Sequence, residues 1–174
     1  MEYDSKKLLI IVVLLLIWNY TTSKTKEIYF TTIKVEENKI NQSDLLLLAR
    51  IIYAEAGHEK EYDGLLGVGQ VVLNRAERKK TSIRNIIYQK GQFDGVRSKN
   101  FKYRYKTCKL FKVSLQAARE LLEGKRILPK TVEFFHNPIT STDTGWTRYL
   151  QKTARKNPPI DIGNHRFFHN PNLV

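Results

Sequence analysis

Apolar residues recur at helical spacing through the first two-thirds of the sequence beyond residue 42. The first of these runs starts at Leu45, and it predicts a helix over Asp44–Ala56 with Ser43 as its N-cap and Gly57 as its C-cap. The same spacing predicts three further helices, over Tyr62–Lys79, from Ser82 to the residue before Gly91, and over about Thr107–Glu123.

Two of these predicted helices carry a more specific expectation. The second contains Gly64, Gly67 and Gly69, and each glycine costs a helix about 1 kcal/mol, so we expect another backbone to approach closely there. In the fourth helix, one face is predicted to point inward, and its members are Phe111, Leu115, Ala118 and Leu122.

The last third of the sequence changes character. Prolines interrupt it, and two aromatic segments, Val132–His136 and His165–His169, have the composition of short β-strands that could pair. The whole pattern predicts an α+β domain that is mostly helical.

The N-terminus predicts export. An unbroken apolar run over Leu8–Trp18 follows two lysines, and it is shorter than the roughly 20 residues that span a bilayer comfortably. Residues 8–18 could also anchor the chain in the cytoplasmic membrane if they are not cleaved. The predicted organisation is a signal peptide or signal anchor over 1–23, a polar tether over 24–42 and a catalytic domain over 43–174.

The net charge limits the classes of binding partner, and the cysteine content limits disulfides and metal clusters. The net charge of +13 favours an anionic partner, and for an exported protein a cell wall rich in carboxylates and phosphates is the natural one, so nucleic acid is not expected. Cys108 is the only cysteine, which excludes an intrachain disulfide and a cysteine-based metal cluster.

One carboxylate stands out from the apolar pattern. Glu55 lies in the last turn of the first predicted helix, and helical periodicity places it near the stripe that contains Ile51 and Ile52. Apolar surroundings and the negative end of the helix dipole both raise the pKa of a carboxyl group. A carboxyl group that stays protonated near neutral pH is what a general acid for glycosidic bond cleavage requires, although a glutamate at a helix end can also simply reach solvent.

Six ordered blocks between Leu45 and Phe168 resemble the SleB-like cell wall hydrolases, the family of the spore cortex-lytic enzymes. The blocks are ARIIYAEAGHE, GVGQVVLNRAE, IIYQKGQFDGV, AARELLEGK, VEFFHNP, and Trp146 followed by IGNHRFF. Two departures from the family are visible: Gly57 and His58 follow the YAEA block where Arg-Gly is common, and the peptidoglycan-binding domain of the spore enzymes is absent from this sequence.

The resemblance implies a lysozyme-like fold and a lytic transglycosylase that cuts peptidoglycan between N-acetylmuramic acid and N-acetylglucosamine, leaving 1,6-anhydromuramoyl ends. It also implies that Glu55 is the catalytic acid. We expect no cofactor and no metal. By analogy, the substrate would contact Tyr53, Gln92, Phe93, Asn137, Trp146, Asn164 and His165. Of these, the amides of Gln92 and Asn137 would hold N-acetyl groups, and core packing competes with sugar stacking for each aromatic ring.

Three alternatives remain open from the sequence. A hydrolytic muramidase would need a second carboxylate, and the candidates are Asp94, Asp143 and Asp161. A metal-dependent N-acetylmuramoyl-L-alanine amidase would draw its ligands from His58, His136, His165 and His169, although no H-E-x-x-H motif is present. A non-enzymatic reading is a basic exported protein that binds polyanions through the lysines and aromatic residues of Lys99–Lys109.

Overall fold

The computed structural model describes residues 18–21, 24, 40–139, 145–154 and 157–173, and it divides the chain into two compact units, Met1–Ile40 and Asn41–Val174. In the first unit, residues 18–21 are helical. None of the helices among the described residues is long and apolar enough to cross a membrane. Most of the predicted export segment, including residues 8–17, lies outside the described residues.

The second unit contains six α-helices and three strands among its described residues. The helices are α1 (Gln42–Ala56), α2 (Tyr62–Lys79), α3 (Ile83–Tyr88), α4 (Lys99–Lys102), α5 (Phe111–Leu122) and α6 (Gly145–Thr153). Two 3₁₀ turns, Asp94–Arg97 and Arg104–Lys106, flank α4, and the strands are β1 (Val132–His136), β2 (Ile160–Ile162) and β3 (His165–His169).

Helix α1 is the centre of the core. It packs against α2 and α5, and Leu48, Ile51 and Ile52 are completely buried. The helix begins two residues before the predicted start because the side chain of Asn41, rather than Ser43, accepts the N–H groups of the first turn, at 2.9 and 3.3 Å. It ends at Ala56 with Gly57 as its C-cap, as predicted.

Helix α2 has the predicted bounds. Contrary to the expectation, however, its glycines are not explained by another backbone that approaches the helix. Side chains approach them: a Cβ on Gly67 would lie 2.5 Å from the ring of Phe167, and one on Gly69 would lie 2.5 Å from Leu121. A Cβ on Gly64 would lie equally close to the side chain of Glu59. The glycines therefore let large side chains fill the space beside the helix.

Buried polar side chains of α2 hold the segment that leads into β1. The amide of Gln70 accepts the N–H groups of residues 127 and 128 at 2.7 and 2.9 Å, and Asn74 donates to the carbonyl of Val132 at 2.8 Å. The Nε atom of Arg75 donates to the carbonyl of Glu133 at 2.6 Å. The polar residues of the block GVGQVVLNRAE thus hydrogen-bond the backbone of residues 127–128 and the first residues of β1.

Helix α5 presents a different face from the predicted one. It starts at Phe111 instead of Thr107, and its buried residues are Ser114, Ala117, Ala118 and Leu121. Phe111, Leu115 and Leu122 are only half-buried. Of the four predicted inward residues, Ala118 is buried as predicted. Three small side chains and Leu121 form the buried face and let α5 approach α1 and α2 closely, so Phe111, Leu115 and Leu122 lie at the edges of the contact.

The two aromatic segments pair as predicted. Strand β3 lies between β1 and β2 and is antiparallel to both, with Phe135 opposite Phe167. The sequence did not predict β2 or α6. The fold is nevertheless the α+β, mostly helical domain that the pattern indicated.

Candidate active site

Glu55 lies at the last turn of α1, half-buried, and faces the 3₁₀ turn Asp94–Arg97. Its Oε1 atom accepts the N–H of Gly95 at 2.7 Å. Among the described residues, none donates a hydrogen bond to the other carboxylate oxygen. The backbone thereby orients one oxygen, and the other has no donor among the described residues.

The surroundings of Glu55 favour its protonated form. Burial raises the pKa of Glu55 above its ordinary value, and the negative charge of Asp94 raises it further, while the hydrogen bond from Gly95 partly opposes both. The direction of this shift agrees with the sequence prediction. The neighbouring charge of Asp94 is a cause that the sequence did not reveal.

Gly95 is required by the closeness of this contact. A Cβ at position 95 would lie 2.6 Å from Oε1 of Glu55 and 2.9 Å from the Cβ of Ala54. The block IIYQKGQFDGV therefore contributes the N–H donor of Gly95, and the absence of a side chain at this glycine leaves room for Glu55 to come close. Sequence reasoning noticed the block but did not single out this glycine.

Gln92 and Phe93, which precede this turn, are fixed by Arg75 of α2. The guanidinium group of Arg75 donates to Oε1 of Gln92 at 3.0 Å and lies 5.2 Å from the ring centroids of both Phe93 and Phe134. Arg75 is 6% exposed, and burial lowers its pKa to about 10. Arg75 was missed because an arginine inside an apolar helix repeat gives no sign of what it contacts.

Two of the predicted aromatic contacts are packed into the core. Phe93 is 7% exposed, and its ring lies 6.3 Å from that of Phe135. Tyr53 is 4% exposed and meets Phe111 edge-on at 5.9 Å. Little of either ring is left to stack on a sugar, so for these two residues the packing role is the one that the contacts support.

Asn137 and Trp146 are the predicted contacts between β1 and β2 along the chain. The side chain of Asn137 accepts the N–H of Ile139 at 2.9 Å, which closes the turn after β1. The backbone of Trp146 belongs to α6, and its side chain lies outside the part of the chain that the structure describes. Their substrate roles stay predictions.

Asn164 and His165 contact a second buried carboxylate, Glu59, which the sequence did not single out. Oε2 of Glu59 accepts the backbone N–H of Asn164 at 2.8 Å and lies 3.0 Å from Nδ1 of His165. Its other oxygen accepts the N–H of Lys60 at 2.8 Å. The side chains of Glu59 and His165 are 1% and 5% exposed, so their contact is an internal link between the α1–α2 connection and the β2–β3 hairpin.

The ionisation of Glu59 is opposite to that of Glu55. Burial alone would raise the pKa of Glu59, but the hydrogen bonds from Asn164, His165 and the two N–H groups after Glu59 outweigh it and lower the pKa. A Cβ at Gly163, where φ is +57°, would lie 2.5 Å from Oε1 of this carboxylate. Glu59 is thus enclosed as an anion and is a poor proton donor.

The three residues that could supply a second catalytic carboxylate differ in their surroundings. Asp94 is exposed and close enough to Glu55 to raise its pKa. Asp161 forms a bidentate ion pair with Arg166 at 2.7 and 2.8 Å, which occupies both of its oxygens. Asp143 lies outside the described residues.

The histidines have separate surroundings. His58 is exposed, His165 contacts Glu59, and Nδ1 of His169 lies 2.7 Å from Oγ1 of Thr131. Among the residues that the structure describes, no three side chains of His, Cys, Asp or Glu are grouped so that they could hold a metal ion. The described histidines therefore do not form the metal centre that an amidase would need.

The fold and the site together define a small α+β domain with a half-buried glutamic acid at the end of its central helix. Residues 59–168 match the family described as Cell Wall Hydrolase, and the chain belongs to that family. It is therefore an enzyme that acts on the cell wall, and its place of action is the cell envelope. The matched range begins just after Glu55.

A solved structure supports the predicted lysozyme-like fold. The chain is similar to the catalytic domain of the germination-specific lytic transglycosylase SleB from Bacillus anthracis, with a TM-score of 0.59 and 23% identity. The similarity covers 74% of this chain and 96% of that one. No curated protein is detectably similar to the chain.

Proposed function

We propose that the enzyme cleaves the glycosidic bond between N-acetylmuramic acid and N-acetylglucosamine in peptidoglycan as a lytic transglycosylase, with Glu55 as its single acid and base. The observation that carries the proposal is the half-buried carboxyl group of Glu55, which has a raised pKa and only one hydrogen-bond donor among the described residues. The name of the Bacillus anthracis enzyme, a lytic transglycosylase, is consistent with it.

The anhydro-forming reaction needs only one carboxyl group. Protonated Glu55 donates its proton to the glycosidic oxygen as the bond from that oxygen to C1 of N-acetylmuramic acid breaks. The C6 hydroxyl oxygen of the same sugar then bonds to C1, and its proton returns to the Glu55 carboxylate. No water is consumed, and the acid is regenerated for the next cycle.

The environment of Glu55 suits both halves of this cycle. Burial and the charge of Asp94 favour the protonated group that starts the reaction, and the N–H of Gly95 stabilises the carboxylate that exists between the two proton transfers. A group with these opposing influences can give up a proton and take one back at the same pH.

Hydrolysis is a second candidate because one observation favours it. Asp94 lies beside Glu55 and is exposed, so it could activate a water molecule as a second carboxylate does in ordinary glycosidases. The two reactions leave different ends on the muramic acid, and the products therefore distinguish them.

The test is mass spectrometry of the fragments that the full chain releases from purified peptidoglycan, beside the variant Glu55→Gln. We expect muramoyl ends lighter by one water than hydrolytic ends, and we expect them to be missing from the Glu55→Gln digest. Reducing ends that disappear in Asp94→Asn would instead establish hydrolysis. Free stem peptides would establish an amidase, and full activity of Glu55→Gln would refute the role of Glu55.

A further inference from the structure

The segment after the Glu55-contacting turn carries exposed cations that lack carboxylate partners. Six of them, here called the cationic strip, are Arg97, Lys99, Lys102, Lys106, Lys109 and Lys112, and all six are exposed. The sequence has no aspartate or glutamate from 97 to 119. Across the described ranges, no ion pair includes any residue of the strip.

Several cations elsewhere in the domain form ion pairs. Arg78 pairs with Glu133, Lys125 pairs with Glu120 at 2.8 Å, and Arg166 pairs with Asp161 at 2.7 Å. The domain thus neutralises several of its cations internally, while no carboxylate of the described residues pairs with the strip. Unneutralised positive charge concentrated in one exposed segment favours an anionic partner there.

The strip is attached to the helix that carries Glu55. Arg50 of α1 donates from Nε to the carbonyl of Phe101 at 2.9 Å, and its guanidinium group lies 4.2 and 4.8 Å from the ring centroids of Phe101 and Tyr105. Further along, Phe111 meets Tyr53 of α1. Phe101, Tyr105 and Phe111 therefore face the helix that carries Glu55, and the lysines of the strip are exposed to solvent.

The strip is also continuous with the candidate active site. Arg97 ends the same 3₁₀ turn whose Gly95 donates to Glu55, so the cations begin two residues from the contact with the acid. A glycan strand bound at Glu55 would bring its own substituents to this surface. The stem peptides along such a strand carry negatively charged carboxylates.

We propose that the cationic strip binds the stem-peptide carboxylates of the glycan strand that is being cut, and that it thereby makes peptide-bearing strands the preferred substrate. This proposal rests on the proposed function for the identity of the strand. Each contact between exposed charges is weak, but several along one strand together raise the local substrate concentration at Glu55.

The test compares two charge-matched triple variants of the full chain. The strip variant is Lys99→Gln, Lys102→Gln, Lys106→Gln, and the control variant is Lys80→Gln, Lys90→Gln, Lys152→Gln, whose lysines are exposed and lie outside the strip. The substrates are peptidoglycan with intact stem peptides and the same material with its carboxylates converted to neutral amides.

On intact peptidoglycan we expect kcat/KM of the strip variant to fall by about tenfold, chiefly through KM, and that of the control variant to stay within about twofold of wild type. The deficit should shrink as ionic strength rises. On amidated peptidoglycan the wild-type enzyme and the strip variant should be equally active. If the strip variant does not fold, Lys109→Gln combined with Lys112→Gln takes its place, with about half the effect on a logarithmic scale.

Equal activity of the strip variant and the wild-type enzyme on intact peptidoglycan would overturn the proposal. A deficit of the same size on amidated peptidoglycan would overturn it as well, because it would show that the strip does not bind stem-peptide carboxylates. The chemistry of the released ends tests the proposed function separately, since hydrolytic ends would refute the transglycosylase reaction without affecting this comparison.

Discussion

Glu55 and Glu59 are separated by little more than one helical turn of sequence, yet their surroundings give them opposite ionisation behaviour. Glu55 has one backbone donor, and burial together with Asp94 raises its pKa. Glu59 is more deeply enclosed, but donors surround it, and its pKa is lowered. Burial alone therefore does not make a carboxyl group an acid, because the number of donors that face it decides which form is favoured.

The largest expected effect comes from removing the acid. Glu55→Gln should lower the rate of peptidoglycan cleavage by about 10²- to 10⁴-fold, because an amide cannot transfer the proton. The fold should be kept, since the side-chain oxygen of Gln can still accept the N–H of Gly95. Initial rates at saturating peptidoglycan, with circular dichroism as the control for folding, measure this.

The same variant should be more stable than wild type at neutral pH. A raised pKa in the folded state means that the folded protein binds more protons than the unfolded chain, so the stability contributed by Glu55 is present below its unfolded pKa and is lost as pH rises through the folded pKa. Urea unfolding at several pH values should show the advantage of Glu55→Gln growing from acid to neutral pH. An advantage that is independent of pH would contradict the shifted pKa.

Glu59→Gln should affect stability much more than Glu55→Gln does. Replacing the carboxylate weakens the hydrogen bonds that it accepts from the backbone N–H of Asn164 and the side chain of His165, and this should lower the free energy of unfolding by about 1–3 kcal/mol. Because the pKa of Glu59 is lowered, its contribution is present above the unfolded pKa and is lost as pH falls through the folded pKa. Thermal unfolding of wild type and Glu59→Gln should therefore converge at strongly acidic pH, and a wild-type stability that does not fall with acid would argue against the internal anion.

Gly95→Ala tests whether catalysis depends on the close contact between the backbone N–H of residue 95 and Glu55. The added Cβ would lie 2.6 Å from Oε1, so either the carboxylate or the turn must move. We expect kcat to fall by up to about 100-fold with the fold kept, since displacements of about 1 Å can cost that much. Gly145→Ala is the matched control, because a Cβ there meets nothing within 4 Å.

Asp94→Asn should have the smallest effect on a transglycosylase. Removing this negative charge lowers the pKa of Glu55, so the alkaline limb of the profile of kcat/KM against pH should move to lower pH. The rate at the optimum should change little. A loss as large as that of Glu55→Gln would favour the hydrolytic reaction.

The local sequence pattern was enough to predict features that belong to a single helix or strand. The bounds of α2, the end of α1, the position of Glu55 and the two aromatic strands all follow from spacing, caps and composition. The buried face of α5 did not follow, because Ser114 and Ala117 are selected by the closeness of neighbouring helices and not by their hydrophobicity.

Contacts between segments that are distant in sequence could not be predicted from the sequence pattern. Glu59 meets His165, and Arg75 meets Gln92 and the carbonyl of Glu133, only after the chain has folded back on itself. Single residues with ordinary local contexts give no indication of such partners. For the same reason, the sequence did not reveal the contacts of Asn164 and His165 with Glu59, and the groove role of these two residues stays a prediction.

The contact between Glu59 and His165 also bears on the order in which parts of the domain can fold. It joins the residues that follow the central helix to a hairpin near the end of the chain. A ribosome makes the N-terminal partner long before the C-terminal one, and contacts of such long sequence separation form late. The end of α1 that bears Glu55 cannot be locked by this contact until the last strand has been synthesised, so a truncated or nascent chain carries the acid without the link that holds its surroundings in place.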